Sequence, residues 1–156
     1  MAAGDVTAFD KWLAAQADAA TLSGSPVDFD TDTIKIVVLD STYTPDTSDT
    51  SVTEHFDDIS AKEVATATSY TGPITLASST VTLTTGKTTF DAADVTIASD
   101  AGGFTDGRYI VFYKDTGTPA TSPLIAVGDL GSNQSIVTGA LLLTWGANGI
   151  ITWTKV

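Results

Sequence analysis

The stretch Arg108-Tyr-Ile-Val-Phe-Tyr-Lys114 is followed by Ser122-Pro-Leu-Ile-Ala-Val127, Ala140-Leu-Leu-Leu-Thr-Trp145 and Gly149-Ile-Ile-Thr-Trp-Thr-Lys-Val156. Each is a short run of β-branched, aromatic and aliphatic residues. Between them stand Gly117-Thr-Pro119, Gly128-Asp129, Gly131-Ser-Asn133 and Gly146-Ala-Asn-Gly149. Short β-rich runs separated by Gly, Pro and Asn at this spacing predict an all-β fold, an antiparallel β-sandwich or barrel of jelly-roll type.

Upstream, residues 33–39 form a further strand that is apolar apart from Lys35, as expected of a strand covered on both faces. Residues 40–60 make a long polar loop, a length that is usually functional or packed by its own side chains. Residues 63–70 read as a strand ended by Gly72-Pro73. Residues 81–85 and 88–90 flank Gly86-Lys87, a two-residue loop whose leading glycine suits a type II′ hairpin. Asp91-Ala-Ala-Asp94 is a turn and residues 95–97 a short strand.

One helix is expected, over residues 5–20, with Val6, Phe9, Leu13 and Ala17 at helical spacing, Trp12 beside them and Asp5 as N-cap. Thr21-Leu-Ser-Gly-Ser-Pro26 ends it. The chain then divides into a helical arm over residues 1–24 and a β domain over 25–156. Two readings of the helix stay open: it plugs the β domain's own core, or it docks on a neighbour through Val6, Phe9, Trp12 and Leu13.

Seven Lys and Arg against nineteen Asp and Glu give a net charge of −12, which cannot build the basic stripe that phosphate neutralisation needs. Nucleic acid and anionic membrane surfaces are therefore not expected as partners. The longest apolar runs fall far short of the ~20 residues of a membrane span. With 42% hydrophobic residues the chain is too apolar for a disordered acidic tail. It has no cysteine, hence no disulfide and no thiolate nucleophile or ligand. The N-terminus lacks the basic-then-apolar pattern of a signal peptide, so folding in a cytosol is expected.

Candidate chemistry is sparse. Val81-Thr-Leu-Thr-Thr-Gly-Lys-Thr88 ends like a phosphate-binding loop, but Val81 stands where the first glycine must be, and the run alternates like a strand. His55, the single histidine, lies in Thr53-Glu-His-Phe-Asp-Asp58 with no nucleophile elbow anywhere in the chain, and reads as a loop-packing residue. Asp28, Asp30 and Asp32 alternate, which would put three carboxylates on one face of an extended segment. Asp46, Asp49, Glu54, Asp57 and Asp58 form a second acidic run. Oxygen ligands suit calcium, yet neither run has EF-hand spacing, so a solvated acidic face is expected and no metal or cofactor. Tyr109, Phe112, Tyr113, Trp145 and Trp153 read as core aromatics or as a carbohydrate platform. No catalytic residue is assigned.

Thr33-Ile-Lys-Ile-Val-Val-Leu39, Ser41-Thr-Tyr-Thr-Pro45, Ile59-Ser-Ala-Lys-Glu-Val64, Phe90-Asp-Ala-Ala-Asp-Val95, Arg108-Tyr-Ile-Val-Phe-Tyr-Lys-Asp-Thr116 and Ser122-Pro-Leu-Ile125 occur in that order. With Gln134-Ser135 and a hairpin from Trp145 to Trp153, they resemble a group of small tailed-bacteriophage proteins encoded among virion structural genes. The resemblance runs from about residue 33 to the C-terminus and transfers no catalytic signature. It implies a non-enzymatic structural protein of the virion, assembled in the host cytoplasm. A chain at −12 would be repelled by a DNA-filled interior, so the outside of the head is the expected place. The leading expectation is a capsid decoration or cement protein whose partners are the major capsid protein and copies of itself. A tail or head-to-tail connector component and a host-receptor or glycan-binding module are the alternatives.

Overall fold

The computed structural model describes residues 6–17, 22–48 and 50–154. In chain order the elements are β1 (Thr7–Ala8), α1 (Asp10–Ala15), β2 (Ile34–Asp40), α2 (Phe56–Ile59), β3 (Ile74–Thr75), β4 (Thr80–Thr84), β5 (Lys87–Asp91), β6 (Val95–Ile97), β7 (Gly107–Lys114), β8 (Leu124–Gln134), β9 (Leu141–Leu143) and β10 (Ile151–Thr154). Among the described residues they form three antiparallel sheets, in the orders β1-β8-β7-β2-β3, β10-β5-β4 and β6-β9.

The five-stranded sheet is the core layer, and its centre is buried on both faces. Ile36 to Leu39 of β2 and Ile110 to Tyr113 of β7 are all buried. Strand side chains alternate between faces, so a run without exposed members needs cover on both sides. On one face, the loop after β2 folds back: Tyr43 meets Tyr109 edge-on, and Phe56 stacks on Tyr113 at 4.6 Å between centroids. On the other face, Phe112 reaches Trp145 beside β9. The long polar loop is thus packed by its own aromatics.

The N-terminal segment departs from the expected helix. Thr7 and Ala8 pair with Val127 and Ala126 on the edge of β8, and Phe9 donates its N–H to the Ile125 carbonyl at 3.0 Å. Open donors and acceptors on that edge outweigh the helix propensity of so short a run. The helix starts at Asp10 with Phe9 as N-cap and ends at Ala15. The expected cap Asp5, the helix end at residues 18–20, Thr21 and Asp49 lie outside the described residues.

Four other expectations are corrected. Residues 63–70 are not a strand: Ser60–Lys62 is a 3₁₀ turn, and Glu63 makes one isolated bridge to Leu39. The β4–β5 loop is Thr85-Gly86, one residue earlier than expected, because Thr84 pairs with Lys87. The positive φ (+75°) therefore falls at the second loop position, which is not type II′. β8 continues through Gly128, read as turn punctuation, where a side chain would crowd Ile110 at 3.1 Å; at Gly131, with φ +81°, the strand bulges and its pairing with β7 shifts register. Trp145 and Trp153 do not frame a hairpin. β9 pairs with β6 and β10 with β5, leaving a Gly146–Gly149 bridge at the crossing between sheets.

Candidate docking surface

β4, β5 and β10 form a small sheet whose two faces differ sharply. Val81, Phe90 and Ile151 are directly opposite one another, as are Leu83, Thr88 and Trp153. Period-two alternation puts those six on one face. The opposite face carries Thr82, Thr89 and Thr152 in one row and Thr84, Lys87 and Thr154 in the next.

The apolar face is anchored at one end only. Phe90 is fully buried and lies 4.2 Å from Phe29, which packs against Trp12 and Trp153 at 5.9 and 5.8 Å. Beyond this aromatic cluster the sheet runs past its support. Every residue of β4 is exposed, Val81 at 37% and Leu83 at 80%. Gly149 lets β10 lie close to β5: its φ is +71°, and a side chain there would meet Thr89 and the Phe90 carbonyl at 2.5 and 2.6 Å.

Two open cavities flank Trp153 on this face. One, of about 550 Å³, is lined by Gln16, Val27, Phe29, Val81, Thr88 and Trp153 together with Asp28 and Asp30. The other, of about 310 Å³, lies toward the hairpin tip between Leu83, Lys87, Thr88 and Trp153. They share Thr88 and Trp153, so they make one groove with an apolar floor.

Residues 28–32, expected to be extended, form a turn. The Asp28 N–H donates to Asp32 Oδ2 at 2.7 Å, the Asp30 N–H to Asp28 Oδ1 at 3.0 Å, and Lys114 pairs with Asp32 at 2.9 Å. Asp30 Oδ1 also accepts the Val81 N–H at 3.2 Å, tying this turn to the outer edge of β4. Asp28 and Asp32 thus brace the turn, and Asp30 ties it to β4. Among the described residues no group of three or more His, Cys, Asp or Glu side chains is placed to hold a metal ion.

The helix residues expected to dock are mostly internal. Trp12 is 0% exposed and Phe9 is buried; Val6 is half-buried beside β8, and only Leu13 is open, at 43%. Phe9, Trp12, Ala15 and Leu22 belong to the same buried cluster as the strands, so the stretch expected as a separate arm is packed into the β domain. Of the two readings, this is the plug. His55 is structural in its contacts: its Nε2 lies 3.2 Å from the Ser23 carbonyl, and its N–H donates to Asp58 Oδ2 at the start of α2.

The remaining polar groups are mainly structural. Every described Lys and Arg has a partner: Lys11 with Glu54, Lys35 with Asp115, Arg108 with Asp129, Lys114 with Asp32, Lys62 with Thr42 and Lys87 with Asn148. The Lys35 ammonium and the Gly117 N–H hold the Asp115 carboxyl below its usual range. Half-buried Glu63 accepts from the Tyr70 hydroxyl at 2.9 Å; desolvation raises its pKa, and burial raises that of Tyr70. Tyr70 in turn accepts the Val38 N–H at 3.1 Å, pinning the segment before β3 to β2.

The groove was only partly readable in advance. Trp153 stood out as an aromatic, and the alternation of Val81 and Leu83 with threonines was visible. Asp28, Asp30 and Phe29 join the site through the turn at 28–32, which brings them to β4 from fifty residues away. Comparison with known proteins found no matching family model, no matching curated protein and no matching solved structure.

Proposed function

We propose that this chain is a non-enzymatic structural protein of a tailed-phage virion, a decoration or cement protein on the outer surface of the head. The observation that carries the reading is the unpartnered apolar face of the β4-β5-β10 sheet. Leu83 and Val81 stand in solvent beside Trp153, on a chain whose net charge is −12. Contiguous exposed apolar surface of this kind is normally covered by a partner. An acidic body with an apolar wing suits joints between capsid subunits, where it buries the wing and stays clear of packaged DNA. The reading takes the large sheet and the two small ones as layers of an open, jelly-roll-like sandwich. It moves the docking surface from the helix to the wing.

The test is location and copy number in virions labelled with an antibody against this chain. Dense labelling over the whole head is the expected result. Labelling confined to the neck or tail transfers the chain to the connector class, and unlabelled particles overturn the virion reading. The variant Leu83→Lys should keep the fold within about 0.5 kcal/mol of the parent and lose attachment.

The groove supports a second reading, a glycan-binding module. Trp153 offers a ring face and Asp28, Asp30, Gln16 and Thr88 offer polar groups around it. Tryptophan fluorescence that changes on adding host polysaccharide would favour it.

A further inference from the structure

We infer that the groove beside Trp153 receives an extended polypeptide segment that carries an arginine or lysine two residues from an apolar residue. The inference rests on the cement reading for the segment's source, the protein shell of the head.

The larger cavity has an apolar floor of Val27, Phe29, Val81 and Trp153 and two carboxylates at its rim. Asp28 and Asp30 each give one oxygen to a backbone N–H, and the other oxygen of each has no partner among the described residues. Neither carboxylate has an ion pair among the described residues: Lys114 is held by Asp32 and the Pro26 carbonyl, and Lys87, at the far end of the groove, donates to Asn148. The groove therefore combines a half-buried indole ring, aliphatic walls and two carboxylates without an ion pair.

Arginine and lysine match that combination. Their stems cover apolar surface while the charged head reaches polar partners. A cation over an indole face gains a further attraction, and its N–H groups donate to carboxylate oxygens in strong, charge-assisted bonds. An apolar side chain two residues along, on the same face of the extended segment, then covers Leu83 in the second cavity, which shares Trp153 with the first. The segment is extended because the floor is a sheet. The open edge of β4 beyond Val81 leaves the outward-facing backbone groups of Leu83 for pairing, the usual way a strand edge takes a peptide. A second copy of this chain is disfavoured as occupant, because it would bring another set of unpaired carboxylates to Asp28 and Asp30.

The test uses the full chain, ¹⁵N-labelled, and three blocked heptapeptides, Thr-Val-Thr-X-Thr-Val-Thr, with arginine, citrulline or glutamate as the central residue X, which puts valine on the same face two residues to either side. The arginine peptide should shift the resonances of Val81, Trp153 and residues 28–30, and bind at least about fivefold more tightly than the citrulline peptide. The double variant Asp28→Asn, Asp30→Asn keeps the turn's acceptors and should remove that difference. Equal binding of arginine and citrulline peptides, no binding of either, or shifts elsewhere would overturn the inference. Maltoheptaose shifting the same resonances when the peptides do not would overturn it in favour of a glycan. The same double variant is then added to heads stripped of this chain. If parent and variant attach equally, the groove inference fails and the cement reading stands. If the parent does not attach but the arginine peptide binds as expected, the groove inference stands and the cement reading fails.

Discussion

Single residues in this protein show both well-matched and mismatched burial. The Tyr70 hydroxyl is fully used, accepting from Val38 and donating to Glu63. The Tyr43 hydroxyl is not: it is buried against Tyr109 without a hydrogen-bond partner among the described residues. Burial and the nearby Asp46 charge push its pKa up to about 12. A buried hydroxyl without a partner costs about 1–3 kcal/mol, while its ring still contributes packing. Tyr43→Phe should therefore leave stability unchanged or raise it by about 1 kcal/mol, read from urea unfolding at neutral pH. The sign with pH also follows. A group whose folded pKa is raised contributes stability that is complete below its unfolded pKa, here 10.0, and lost as pH rises toward the folded value. The parent should thus lose stability between about pH 10 and 12 through this residue, and the phenylalanine variant should lack that component. The identity of Tyr43 as an aromatic was plain in the sequence. That its hydroxyl would lack a partner was not, because this depends on how the loop after β2 folds onto β7.

At the scale of elements, α1 and β4 fall on opposite sides of the line between core and surface. The pattern Val6, Phe9, Leu13 reads as one helix face that either plugs the core or meets a partner. Pairing of Thr7 and Ala8 with β8 shortens the helix to six residues and turns Phe9 and Trp12 inward. Trp12 then forms the base of the aromatic cluster under the small sheet. Trp12→Ala should cost about 3–5 kcal/mol, as for other fully buried tryptophans. It should lower the thermal midpoint and loosen the tertiary signal of the β domain; a helix serving only as a docking arm would leave both untouched. β4 goes the other way. Its alternation of threonine with Val81 and Leu83 predicts a half-buried strand, yet nothing among the described residues covers its apolar side beyond Val81. Alternation tells which residues share a face, not whether that face reaches the core. The same limit explains the strand pairing after β8: β9 and β10 are adjacent in sequence but belong to different sheets.

The whole molecule is a strongly acidic body whose described cations are all engaged, four of them in ion pairs with carboxylates. Most of its described carboxylates therefore lack an ion pair, and their mutual repulsion opposes the compact state. Salt screens this repulsion over about 10 Å at 0.1 M. Raising the ionic strength from about 0.01 M to about 0.3 M should raise the thermal midpoint, although the surface ion pairs weaken, because each of those contributes only about 0–1 kcal/mol. A midpoint that falls with salt would mean that the ion pairs outweigh the net repulsion. By itself the sequence determined the charge, the lack of thiol chemistry, the β-rich class and the position of most strands. These follow from composition and from local alternation, which any single segment displays. Tertiary structure alone decided which strands pair, that Phe9 and Trp12 face inward, and that Asp28 and Asp30 meet Val81 and Trp153 across a groove. Those outcomes depend on contacts between segments far apart in the chain, where edge hydrogen bonds and aromatic packing override the preference of each segment taken alone.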